Sequence, residues 1–397
     1  MKIKIERAEI VFTVISLLFF TKGLESILPG SIISVIRYAS LSVSCVALIY
    51  HAGRMLWVIN QQWLFLSVLL LENFSFLWSD FPGLTLFEIR SEMLPMTMFG
   101  IYLATRFTLR RQIELLTYAL TLAILLSFVV TLGAPSIGIS PEGIFRGIYN
   151  HKNVTSAYGV LAALSFYSLT LSKESGGLKA WIGFGLSIAF ILATTSKTGL
   201  VLSLFLPSAM FLYSKLYLRG NFAVILSSLT ILVVGTTSIL VIENWNFLLS
   251  SIGGDPTLTG RTPMWAFMLN KIYQRPWLGY GRNAFWAPQT NNSVAVGETV
   301  TQIDFAVYHA HNGFIELMLD IGLIGGLAFL VSFLKMYLTA AKRASLAIEP
   351  DDIWPLGFLL FLTINNMTES FLTWNLNLFW VLCTSLTFSI NRRSKAV

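Results

Sequence analysis

Residues 113–133 read IELLTYALTLAILLSFVVTLG, with Glu114 the only charge in the run. A helix of about 20 mostly apolar residues is long enough to cross the hydrocarbon core of a bilayer. Comparable runs recur on both sides of it, at 9–28, 32–50, 61–79, 85–104, 153–172, 178–195, 198–214, 222–242, 311–338, 353–371 and 374–390. The chain of 397 residues is 55% hydrophobic and 12% charged, against roughly 25% charged in an ordinary soluble domain. Its mean hydropathy is +0.70. Soluble, disordered, collagen-like and disulfide-scaffold classes are excluded, because that much apolar surface has no place in water. The expectation is an all-α integral membrane protein with about twelve transmembrane helices, forming one polytopic membrane domain over 1–397. The run at 85–104 carries Glu88, Arg90, Glu92 and Pro95 and is expected to be broken or partly interfacial. The runs at 178–195 and 198–214 are joined only by Thr195-Ser196-Lys197, which predicts a tight hairpin.

The N-terminus, with Lys2, Lys4 and Arg7, resembles a signal-peptide n-region, but no small-residue cleavage site follows; an uncleaved first span is expected. Cys45 and Cys383 both fall inside spans and report no disulfide. Short loops rich in Lys and Arg face the cytoplasm. With the N-terminus inside, the inner segments hold Arg54, then Arg106, Arg110 and Arg111, then Lys173 and Lys179, then Lys215 and Arg219, then Lys342 and Arg343, and finally Arg392, Arg393 and Lys395. Both termini are then cytoplasmic. Most of the net charge of +7 is a topology signal, and nothing in it calls for a nucleic acid.

A minority of cations falls on the outer side: Arg37, Arg90, Arg146, Lys152, Lys197, Arg261, Lys271, Arg275 and Arg282. Cations at that surface attract an anionic ligand, for which a lipid-linked phosphate is the natural candidate; the plain alternative is snorkelling to headgroups, which suits Arg37, Lys271 and Arg275. Two outer loops, 134–152 and the larger 243–310, with the start of the span after it, contain His151, His309 and His311, three of the four histidines. In the first, Asn150, His151, Lys152 and Asn153 form a polar cluster in which Asn153 or Thr155 is expected to cap the next helix. In the second, Thr262 as N-cap and Pro263 at the first helical position predict a helix start with Arg261 beside it, where free N–H groups already favour an anion. Trp265, Trp277, Tyr280 and Trp286 suit either sugar stacking or interface anchoring. Gly279-Tyr-Gly281 lacks the βαβ setting of a dinucleotide fingerprint, and the His309–His311 pair lacks the further ligands of a metal site. Glu316 and Asp320, four apart on one helix face, and Glu369 with Asn365 and Asn366 are carboxylates inside predicted spans, where a charge is costly and marks function or interhelical bonding. Gly322, Gly325 and Gly326 predict close helix packing.

Taken together, these residues resemble a family. His311-Asn312 followed by Gly322-Leu-Ile-Gly325 resembles the signature of bacterial O-antigen ligases, whose fold is shared by Wzy-type polysaccharide polymerases. The Asn150–Asn153 segment, Thr259-Gly-Arg-Thr262 with Trp265, and Gly279-Tyr-Gly281 are similar to exopolysaccharide polymerases of the ExoQ type. The motifs span about residues 145–330, and the topology extends the likeness to the whole chain.

The resemblance implies a bacterial inner-membrane enzyme with its site on the periplasmic face. It implies inverting glycosyl transfer, without metal or other cofactor, from a sugar chain on undecaprenyl diphosphate. It assigns His311 as the base for the acceptor hydroxyl, and Arg261 and Lys197 as cations on the diphosphate. At Lys197 the chain departs from the pattern, with Lys for Arg and Leu200 three rather than four residues on; Lys brings charge but no bidentate fork. Further substrate-binding residues expected are His151, Lys152, Asn153, Arg146, Asn312, Glu316, Arg282 and Glu369, with Glu316, Asp320 and Glu369 orienting His311 or holding sugar. The acceptor is a growing lipid-linked glycan for a polymerase, favoured by the Asn150–Asn153 segment, or lipid A core for a ligase. A chain-length regulator is a candidate partner. The rival class is a transporter or flippase, which often shows matching halves; no repeat relates 1–195 to 196–397.

Overall fold

A computed structural model of the chain describes residues 2–171, 177–215, 261–300, 306–345, 352–367, 369–373 and 376–391. Its helices are α1 (Lys2–Phe20), α2 (Gly30–Tyr50), α3 (Ala52–Asn60), α4 (Trp63–Phe74), α5 (Pro82–Glu88), α6 (Leu94–Arg106), α7 (Leu109–Gly133), α8 (Pro135–Gly138), α9 (Lys152–Thr170), α10 (Leu178–Ala193), α11 (Lys197–Lys215), α12 (Arg261–Gln274), α13 (Asn292–Glu298), α14 (Gly313–Ser345), α15 (Trp354–Asn366) and α16 (Leu378–Ser389). Among the described residues there is no β-strand, only a single antiparallel bridge between Ile139 and Phe145. The span expected at 222–242 lies outside the described residues.

The protein is an all-helical membrane protein. Gly30–Tyr50, Leu109–Gly133 and Gly313–Ala344 are long and apolar enough to cross a bilayer. Val46 and Leu327 on these helices are 67% and 60% exposed, a surface suited to lipid and not to water. The run expected as one span at 61–79 belongs instead to a bent pair, α3 with Trp63–Leu77, meeting at 105°. The run at 85–104 is broken as its composition predicts. Residues Ile89–Met93 widen into a π-turn between α5 and α6. Pro95, with no N–H for the carbonyl four residues back, makes a regular turn unfavourable there. The hairpin between α10 and α11 turns through Thr195 at φ 52°.

The main core is aromatic. Trp380 is fully buried and stacks on Phe329 at 6.4 Å between ring centroids, with Phe65 5.9 Å away. Gly100 of α6 lets α16 approach, since a Cβ there would sit 2.8 Å from the Cβ of Thr384.

The described part of the long stretch 243–310 folds as a second, smaller core. Met264, Met268 and Ile272 of α12 pack with Phe285, Trp286, Val296, Val307 and Ala310 against Ile315 and Leu319 of α14. This subdomain is seated on the first turns of α14, where the helix is broken. Ile321 and Gly322 leave helical geometry, Gly322 at φ 65° and ψ −168°, a region essentially reserved for glycine. The backbone groups freed by the break are satisfied by the loop that follows α12. Tyr280 and Gly281 donate their N–H groups to the carbonyls of Leu319 (2.8 Å) and Asp320 (2.9 Å), and the carbonyls of Pro276 and Trp277 accept from Leu323 (2.6 Å) and Ile324 (3.2 Å). A Cβ on Gly322 would meet the Trp277 carbonyl oxygen at 2.3 Å, and one on Gly279 the Leu319 carbonyl oxygen at 2.5 Å. Gly322 therefore serves a helix break filled by the Gly279-Tyr-Gly281 loop, not the helix–helix contact expected of it. Irregular backbone inside a membrane protein persists only where protein satisfies it in this way.

Candidate active site

Arg261 and Thr262 both lie within α12, so Thr262 is not the N-cap expected of it. Arg261 and Trp265 are four residues apart and share a face. Trp265 Nε1–H donates to the carbonyl of Ala310 at 2.9 Å, so the same face brings Arg261 alongside the segment carrying His311. That segment is pinned on both sides. Asn312 caps α14, its Oδ1 accepting from Phe314 (3.0 Å) and Ile315 (3.2 Å), and its N–H donates to Ser370 Oγ at 3.2 Å. Between these anchors His311 adopts φ 48°, a left-handed backbone uncommon for a non-glycine residue and frequent at functional sites.

The His311 ring meets Glu369. Nδ1 lies 3.4 Å from Oε2, while Oε1 accepts from Asn153 Nδ2 at 3.1 Å and faces Arg261 Nη2 at 3.5 Å. Glu369 thus joins residues from α9, α12 and the start of α14. Helix α15 ends at Asn366, so Glu369 stands in the connection that follows and not inside the run expected at 353–371. Burial opposes its ionisation, but the bond to His311, the charges of His311 and Arg261 and the Asn153 bond outweigh that, holding the carboxyl below its ordinary range. The His311 side chain keeps 29% exposure, enough to meet a substrate.

His309 packs on His311 with 3.9 Å between ring centroids, and its Nδ1 accepts the His311 N–H at 3.4 Å. Loss of water around it, followed by the charge of His311, pushes the His309 pKa down to about 3, with Arg261 and His151 adding to the shift.

Residues 182–330 match the O-antigen ligase family.

The matched stretch contains Lys197, Arg261 and His311 and leaves Asn153 and Glu369 outside. The chain is also 25% identical over 267 residues to the exopolysaccharide production protein ExoQ of Rhizobium meliloti (strain 1021). That alignment covers 64% of this chain and spans 60% of the length of that relative. The likeness to O-antigen ligases and Wzy-type proteins read from the sequence motifs is borne out by both.

The structure brings His311, Arg261, Asn153 and Glu369 of the expected residues into direct contact, with His151 close enough for its charge to act on His309. His151 is itself the N-cap of α9, its Nδ1 accepting from Asn153 N–H at 3.2 Å. Neither Asn153 nor Thr155 fills that place: the Asn153 amide is turned to Glu369, and the Thr155 hydroxyl donates to the Arg146 carbonyl at 2.7 Å. Lys152 is half-buried and Lys197 exposed; among the described residues neither has a carboxylate partner. Each opens a helix, and the two helices meet near their N-termini, where a Cβ on Gly199 would lie 2.7 Å from the Cβ of Ser156.

Arg146, Asn312, Arg282, Asp320 and Glu316 stand elsewhere or are occupied. Arg146 binds its own loop through the carbonyls of Ile137 (2.9 Å) and Ser136 (3.1 Å), and Asn312 is the cap already described. Arg282 is buried, bonding Asp320 Oδ2 at 3.2 Å and facing Glu92 at 3.8 Å. Asp320 also accepts the Asn283 N–H at 2.9 Å. These two lock the loop onto the broken helix, and neither touches His311. Glu316 is buried with its oxygens engaged by Trp286 Nε1 (2.5 Å), Ala310 N–H (2.6 Å) and Ser370 Oγ (3.2 Å). Sequence reasoning weighed His309 only as a metal ligand and passed over Ser370. Their one signal was adjacency, one to the His311 motif and the other to Glu369.

Proposed function

We propose that the protein is a membrane glycosyltransferase that joins undecaprenyl-diphosphate-linked oligosaccharide repeat units on the periplasmic face of the bacterial inner membrane, within a topology of about twelve spans. The observation that carries this reading is a single carboxylate, Glu369, that meets both His311 and Arg261. An ionised Glu369 accepts Nδ1–H of His311, which fixes the tautomer with Nε2 as the free base. Nε2 removes the acceptor hydroxyl proton as that oxygen attacks the anomeric carbon. The bond from that carbon to the phosphate oxygen breaks with its electron pair on the leaving undecaprenyl diphosphate, giving inversion. Arg261, held by Glu369 through one guanidinium nitrogen, has further N–H donors for the diphosphate. Lys197 and Lys152, at adjacent helix N-termini, add charge on the side of Asn153. The energy comes from the sugar–diphosphate bond that breaks, so no nucleotide is consumed.

The name of the ExoQ relative supports a polymerase over a ligase, as does the Asn150–Asn153 segment, whose Asn153 touches Glu369. The test is incubation of purified protein with lipid-linked repeat units, with and without lipid A core. A ladder of products without core supports the polymerase. Transfer only onto core makes the protein a ligase, and no transfer under either condition, with repeat units moved across vesicle membranes, makes it a transporter.

A further inference from the structure

Glu316 lies one turn into α14, buried, where it reaches no solvent. Its carboxylate carries three donors, and two of them belong to the immediate neighbours of the catalytic pair. The Ala310 N–H precedes His311, and the Ser370 hydroxyl follows Glu369. Ser370 Oγ in turn accepts the Asn312 N–H on the other side of His311. The third donor, Trp286 Nε1, ties in the turn that caps the smaller core. Glu316 and Ser370 therefore clamp the chain on both flanks of His311 and on one flank of Glu369.

We propose that Glu316 and Ser370 are positioning residues that set the separation and ring orientation of the His311–Glu369 pair, and that Glu316 binds no sugar. The inference rests on the glycosyl-transfer reading for its kinetic consequence, but its structural part stands apart from it. All three groups meeting Glu316 are donors, so an amide at that position must turn its NH₂ against at least one of them. The misfit moves the His311 segment by a fraction of an ångström, and displacements of about 1 Å at a reacting group cost up to roughly 10²-fold in rate.

The experiment uses the full chain in lipid nanodiscs, with undecaprenyl-diphosphate-linked repeat units extracted from host membranes as substrate. Glu316→Gln is expected to lower kcat by about 10²-fold and Ser370→Ala by about tenfold, with KM for the repeat unit unchanged and the pH–rate profile displaced. Ser370→Thr, which keeps the hydroxyl, restores both. In parallel, ¹⁵N-histidine spectra of the four histidines, assigned through His311→Ala, are expected to show the His311 Nδ1–H signal altered in Glu316→Gln and Ser370→Ala. A raised KM with unchanged kcat makes Glu316 a substrate ligand and overturns the proposal. So does an unaltered His311 signal in Ser370→Ala, the milder variant, should Glu316→Gln fail to fold. A wild-type protein that transfers nothing defeats the glycosyl-transfer reading alone, and the histidine spectra still decide the clamp.

Discussion

His311 Nδ1 stands 3.4 Å from Glu369 Oε2, and their separation of 58 positions in sequence is bridged by the turn after α15 folding back on the start of α14. Gly313 permits this, because a Cβ there would lie 2.0 Å from Asn366 Oδ1. If Glu369 fixes the His311 tautomer, Glu369→Gln retains the size of the side chain and loses the charge. Product formation is expected to fall by about 10²-fold, and by up to about 10⁴-fold in His311→Ala, where the base itself is gone. Initial rates on lipid-linked repeat units check both. Wild-type rates in Glu369→Gln would remove the orienting role.

Arg261 is expected to act on the donor. Arg261→Ala should raise KM for the lipid-linked donor by about tenfold or more, the worth of one charge-assisted hydrogen bond. Arg261→Lys should recover only part of it, since Lys lacks the planar fork. Titrating donor and acceptor separately distinguishes this from a defect in acceptor use, which would count against the assignment.

Arg282 should behave in the opposite manner. It is 2% exposed and pairs with Asp320, equally buried. Arg282→Ala strands Asp320 and Glu92 without their cation, at a cost of about 3–5 kcal/mol. The expected outcome is a lowered thermal midpoint and poor yield, read by fluorescence-detected size exclusion in detergent, while the folded fraction keeps its donor KM. A donor KM defect in a stable Arg282→Ala protein would return Arg282 to the substrate.

Gly322→Ala tests the broken helix. The substitution combines a backbone region reserved for glycine with a contact at 2.3 Å to the Trp277 carbonyl oxygen. Destabilisation of more than about 2 kcal/mol is expected from strain and collision together. By contrast, Gly177→Ala, where among the described residues nothing lies within 4 Å of a Cβ, should change the thermal midpoint little.

Acid should loosen the site through His309. Its folded pKa, about 3, lies below the ordinary value of 6.5, so the unfolded chain takes up a proton that the folded site refuses. The stability from a neutral His309 is complete above about pH 6.5 and is lost as pH falls towards 3, at up to about 1.4 kcal/mol per pH unit. Glu369, held below its ordinary 4.5, adds a loss that begins as pH falls below about 4.5, because the unfolded chain gains that proton more readily. Thermal midpoints measured from pH 7.5 to 4.5 should fall in the wild type and flatten in His309→Gln. An equal slope in the variant would assign the acid sensitivity to another group.

The sequence by itself determined that this is a helical membrane protein, because hydrocarbon thickness sets a length that runs such as 113–133 satisfy in local sequence alone. It also determined His311 and Arg261 as candidates, since motif spacing is local. The break at 85–104 was legible for the same reason, Pro95 being its cause. What the tertiary structure decided was partnership. Glu369, Asn153 and Arg261 are far apart along the chain, and no periodicity says that they share one carboxylate. Arg282 and Arg261 look alike as outer cations in the sequence. Only the fold buries the first against Asp320 and leaves the second at Glu369, because the loop after α12 must fill the backbone groups of a helix broken at Gly322. Glu316 and Asp320 share a helix face as their spacing requires, yet the break separates their tasks, one to the His311 segment and one to Arg282. Local sequence fixes which groups are present and which backbone they prefer. Which charges meet depends on how elements distant in the chain pack, and that is a property of the whole fold.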